Sequence, residues 1–174
     1  MEVSGVYVEV MGIAQPLGLL RTETPNTLKK KIEELDGEEE FLSQWRSDRP
    51  RTMSMLVAHF DPNALLNPAE RAFAVAAWKP PLWKHLGFRG TFDPKAQRIR
   101  IESEGRLLAD EPVAHSCHVA VAWNKVLSGQ GLEVLLLDLG TDDESFLAVV
   151  KASAERIRTE NILAVARPCP LPKK

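Results

Sequence analysis

The sequence predicts an α/β domain, a three-layer sandwich around a central mixed, mostly parallel sheet. Three observations predict it. Leu132-Glu-Val-Leu-Leu-Leu-Asp-Leu139 is a near-continuous apolar run closed by Gly140. Such a strand is covered on both faces, and doubly covered strands are usually parallel. Thr141 with Glu144 three residues on has the pattern of a capping box, so a helix is expected next. Asn161-Ile-Leu-Ala-Val-Ala166 then completes a β-α-β unit. The alternative built from the same elements is an α+β domain with helices on one face.

The chain has 174 residues, 44% of them apolar and 26% charged. That length predicts a single domain over residues 1–167, with a proline-rich flexible tail at 168–174. The net charge of −2 speaks against a whole-surface nucleic-acid or membrane binder. The N-terminus lacks a basic start and an apolar core segment, and the apolar runs are short of a membrane span. The expected location is cytoplasmic, and there Cys117 and Cys169 are expected as two free thiols.

From the N-terminus, Val6-Tyr-Val-Glu-Val10 alternates and predicts a strand. Gln15 to Leu20 predicts a loop. Thr24 as N-cap with Pro25 after it opens a helix to about Leu35, and Gly37 stops it. A second helical piece covers Glu38 to Trp45. Thr52 to Phe60 predicts a strand, and Asp61-Pro-Asn63 a turn. Asn67-Pro-Ala-Glu70 opens a helix over Ala69 to Trp78, ended by Pro80-Pro81. Gly90 to Glu102 predicts a hairpin turning at Asp93-Pro94, with Ile99 and Ile101 inward and Arg98, Arg100 and Glu102 outward. Glu111 or Pro112 opens a helix to about Leu127, and Ser128 to Gly131 breaks it.

Three places carry chemistry. The segment from Trp78 to Arg100 interleaves aromatic rings with cations, and Trp78, Lys79, Trp83, Lys84, Arg89, Arg98 and Arg100 are its candidate partner-binding residues. Trp and Arg are enriched at protein hot spots, and the same mixture suits stacking and phosphate attraction in nucleic acid. The plainer account has the rings packed inward and the cations on a solvated face. An acidic run, Glu33 to Glu40, is its electrostatic opposite, which suits head-to-tail association.

The second place is the strand end at Asp138, Gly140, Thr141, Asp142 and Asp143, where an open α/β sheet would bind a small ligand or nucleotide. Its carboxylates suit Mg²⁺ or a cationic ligand rather than a phosphate. The plainer account is a helix cap. The third place is His115 and His118, one helical turn apart, with His59 as a further ligand for Zn²⁺. No cofactor is strongly implied. Cys117 is read as a mid-helix thiol in apolar company.

The leading expectation is a non-catalytic intracellular interaction or adaptor module, binding a protein partner or a second copy through residues 78–100. A ligand-sensing domain and a metal-dependent hydrolase using Asp138, Asp142 and the histidines are the alternatives.

Overall fold

The computed structural model describes residues 2–68, 70–167 and 169. Its elements are α1 (Glu2–Ala14), α2 (Pro25–Leu35), α3 (Glu38–Ser47), α4 (Arg49–Phe60), β1 (Ala64–Leu66), α5 (Arg71–Ala77), β2 (Phe88–Asp93), β3 (Arg98–Ser103), β4 (Arg106–Pro112), α6 (Ser116–Leu127), β5 (Leu132–Asp138), β6 (Glu144–Val150) and α7 (Lys151–Thr159). No helix among the described residues is long and apolar enough to cross a membrane.

The predicted mostly parallel sheet is not there. Two three-stranded sheets stand in its place, a central one in the order β1-β6-β5 and an outer one in the order β2-β3-β4, and all their pairings are antiparallel. The apolar run of β5 is nevertheless covered on both faces. Leu135 and Leu137 of β5, with Leu147 and Val149 of β6, enter one core. Leu132 and Val134, with Phe146 and Ala148, enter another. Strand side chains alternate between faces, so one sheet is the shared wall of two cores. Helices α4 and α7 cover the first face, while α6 covers the second and separates it from the outer sheet. Helices therefore lie on both faces of the central sheet, against the one-sided α+β alternative as well.

Double burial implied parallel pairing only because crossover helices are the usual way to cover both faces. Here a hairpin does the same. Thr141 does not cap a helix: its Oγ1 accepts from the Asp143 backbone N–H at 3.2 Å, and Gly140 turns the chain with φ of +72°. The chain continues as β6, and the helix comes afterwards as α7. Of the predicted strand at 161–166 there remains one antiparallel bridge, Leu137 to Val165, flanked by Asp138 N–H to Ala164 O at 2.7 Å and Ala166 N–H to Leu136 O at 2.8 Å.

Two predicted strands are helices. Val6 to Val10 alternates, but from residue 5 to the end of α1 the buried residues are Tyr7, Val10, Met11 and Ala14, spaced at 3, 4 and 7 as on a helical stripe, while Val8 is exposed. Five residues were too short a window to separate the periods. At α4 the start signal stood just upstream of the window. Asp48 caps it, accepting from the Arg51 N–H at 3.2 Å, and Pro50 sits in the first turn. Its apolar residues point to most sides because α3, β1 and the central sheet all pack around it.

The helix expected over 69–78 is shorter, and Asn67 adopts φ of +38° rather than capping it; Ala69 lies outside the described residues. The helix expected from Glu111 begins at Ser116, because residues 106–112 form β4. The hairpin of β2 and β3 and the helices α2 and α3 stand as expected, with the Thr24 hydroxyl accepting from the Thr27 N–H at 3.2 Å. Of the tail at 168–174 only Cys169 is described; the expected flexibility of the rest lies outside the described residues.

Candidate functional site

The outer sheet is built around tryptophan. Trp83 stacks on Trp123 and meets Trp78 edge-on, with ring centroids 5.3 Å apart in both pairs. Trp123 Nε1 donates to the Val75 carbonyl at 3.1 Å, which ties α6 to α5. Trp83 is buried and Trp78 half-buried, so these rings form the core beneath the sheet. Lys79, Lys84 and Arg89 are exposed. Arg98 and Arg100 converge on Asp110, at 2.7 and 3.5 Å. The Arg98 hydrogen bond, with the charge of both guanidiniums, holds the Asp110 carboxyl below the usual carboxylate range.

Register sets the outward face in three rows: Arg89, Glu102 and Leu107; Thr91, Arg100 and Asp110; Asp93, Arg98 and Pro112. Acids interleave with the arginines, so the face is mixed in charge rather than uniformly basic. Leu107 and Leu108 are exposed, at 52% and 37%. They escaped the sequence reading because β4 itself did. The available signal was Glu104-Gly105, which turns β3 into β4 with φ of +52° and +75°, the conformation of a two-residue hairpin loop. A bulge between Ile101 and Glu102 leaves Leu108 out of register with β3.

The sheet edges differ. On the inner face at β2, a Cβ at Gly90 would stand 2.1 Å from the Ala76 carbonyl oxygen, so α5 lies directly beneath that strand. The β5 edge of the central sheet meets the segment around Val165. Among the described residues β4 pairs with β3 alone. Its far half is guarded by Pro112 and by Glu111, which is bound to Lys125 at 2.8 Å. Its near half carries the two leucines.

The loop at 138–143 is a hairpin connection followed by a strand, with no helix N-terminus to meet a ligand. Asp138 Oδ1 accepts from the Gly140 N–H at 2.8 Å, and its other oxygen lies 3.6 Å from Arg51. Asp142 and Asp143 are exposed.

The histidines separate. His59 is exposed on α4 beside Phe60, far along the chain from the other two. His115 and His118 stand at the start of α6. His115 is its N-cap, and His118 Nδ1 accepts from the backbone N–H groups of Ala114 and His115 at 2.9 and 3.1 Å. Ser116 Oγ donates to Glu144 at 2.6 Å. Cys117 is in the first turn rather than mid-helix, and it is disulfide-bonded to Cys169 instead of free. The chain beyond α7 runs back along β5 and returns Cys169 to α6, a path the proline pattern concealed.

Among the described residues, Cys117, His118 and Cys169 form a group whose donor atoms all lie within 4.8 Å of one another. The group does not suit a cation. The sulfurs are joined, and Nδ1 of His118 needs its lone pair for two backbone N–H groups, which puts the ring proton of the neutral form on Nε2. Comparisons with protein-family models, with curated proteins and with solved structures give no match for this chain.

Proposed function

We propose that this chain is a binding module that receives an extended segment of a partner protein along β4. The observation that carries the reading is an edge strand that pairs on one side among the described residues and presents two adjacent exposed leucines on its unguarded half. Strand addition uses the backbone groups of such an edge for affinity and the flanking side chains for specificity. Leu107 and Leu108 favour apolar residues in the incoming segment. Arg106, on β4 itself, favours an acidic one, so a strand of apolar and acidic residues is the expected ligand. The basic segment at residues 78–100 contributes its exposed cations, with the buried Trp83 acting as scaffold.

The test is selection of ligands from a displayed library of short random peptides, followed by amide shift mapping of a selected peptide on the protein. Shifts at Arg106 to Ala109, lost in the Leu107→Lys/Leu108→Lys variant at unchanged melting temperature, are expected. Selected peptides that bind this variant equally well contradict the reading. Concentration-dependent dimerisation abolished by the same variant would make the incoming strand a second copy of β4.

A further inference from the structure

We propose that Cys117 and Cys169 form a thiol–disulfide exchange site, opened and closed by low-molecular-weight thiols and disulfides. Cys117 occupies the second position of α6, a helix of 12 residues with His115 as its N-cap. The helix dipole at such an end stabilises a thiolate. The second cysteine is bonded to it, and a ring nitrogen of the buried His118 lies within 4.8 Å of both sulfurs. Both cysteines are half-buried rather than sealed. Cys117 lines two surface cavities, one of about 490 Å³ shared with Cys169, Arg158 and Arg167, and one of about 520 Å³ shared with Ser116 and Glu144. A small reagent therefore has access from either side.

The helix end makes Cys117 the better leaving group. In reduction, a reagent thiolate bonds to the Cys169 sulfur, the bond between the two cysteines breaks, and its electron pair leaves with Cys117 as thiolate. A second reagent thiol then attacks the mixed disulfide and releases Cys169. The protein gains two electrons and two protons, and two reagent thiols become one reagent disulfide. The reverse reaction retraces these steps: the Cys169 thiolate attacks a small disulfide and releases one reagent thiolate, and the Cys117 thiolate then attacks the Cys169 sulfur, releases the second and closes the bond. Closing the bond fastens the segment beyond α7 to α6. Opening it leaves in place the segment's hydrogen bonds to Leu136 and Asp138 on β5 and to Ser54 on α4.

The test equilibrates the whole protein in glutathione buffers of graded ratio, quenches with an alkylating reagent and counts labelled cysteines by mass. Both thiols should appear together across one transition. In the reduced protein Cys117 should alkylate roughly five- to tenfold faster than Cys169. Amide exchange at Asp138 and Ala166 should rise on reduction. The two single variants separate the thiols: Cys117 in Cys169→Ser should form a mixed disulfide with oxidised glutathione faster than Cys169 does in Cys117→Ser, and equal rates would overturn the proposal. A bond that resists reducing buffer, thiols that fail to pair in oxidising buffer, or stoichiometric zinc on the reduced protein would overturn the proposal.

Discussion

Gly90→Ala tests the close packing of α5 against the inner face of the outer sheet at β2. The added Cβ would stand 2.1 Å from the Ala76 carbonyl oxygen and 2.6 Å from Trp123 Cζ2. Neither obstacle is a flexible side-chain end. One is backbone, and the other belongs to a buried ring stacked on Trp83. Strand β2 and helix α5 must separate by more than an ångström to reach ordinary contact. Overpacking of this kind costs about 1–3 kcal/mol. The same movement pulls Val75 from Trp123 Nε1, and stranding a buried donor costs about 1–3 kcal/mol more. The reduced freedom of the unfolded chain returns about 0.4–1 kcal/mol, leaving a net loss centred on about 3 kcal/mol. In a domain of this size that lowers Tm by roughly 5–15 °C. Urea unfolding with near-ultraviolet dichroism of the tryptophans measures it. A loss under about 0.5 kcal/mol with an unchanged tryptophan spectrum would refute the close approach of α5 to β2.

Three further perturbations probe other parts. Cys169→Ser removes a cross-link spanning a sequence separation of 52. Chain entropy puts the loss at no more than about 4 kcal/mol, and calorimetry should show reduced wild type melting with the variant, below the oxidised protein; oxidised and reduced wild type melting within a degree would count against the cross-link. Phe146→Leu and Leu147→Val lie on opposite faces of β6, each fully buried, and each should cost about 1 kcal/mol. Their effects should add to within about 0.5 kcal/mol in a double-mutant cycle, and a larger coupling would contradict separate cores. The lowered Asp110 carboxyl contributes stability above its unfolded value, near pH 4, that is lost as pH falls through its folded value. Asp110→Asn should therefore flatten the acid limb of the stability profile, and an acid limb of unchanged steepness would show that this pairing does not matter.

Local chemistry was legible in the sequence wherever a short-range signal and its tertiary use agreed. Thr24-Pro25 and Gly37 bound α2, and the alternation at Arg98 to Glu102 oriented β3. The apolar run of β5 correctly announced a doubly buried strand. Its direction of pairing depended on β6, which followed a Thr-x-x-Glu pattern that mimics a helix start. Distinguishing the two required knowing that Ser145 to Val149 is buried on both faces, a tertiary fact. The site followed the same rule. The cations of residues 79–100 were visible, but their pairing with Asp110 and the exposure of Leu107 and Leu108 depended on β4, whose burial pattern is neither alternating nor uniformly apolar. Cys169 met Cys117 through a chain path that no local pattern encodes.

The most direct test of the central claim is amide hydrogen exchange on the protein with and without a saturating selected peptide. New protection at Arg106 to Ala109 is expected, with β2 unchanged above α5. Protection gained at the Asp138 to Asp143 loop instead, with β4 unaffected, would contradict it.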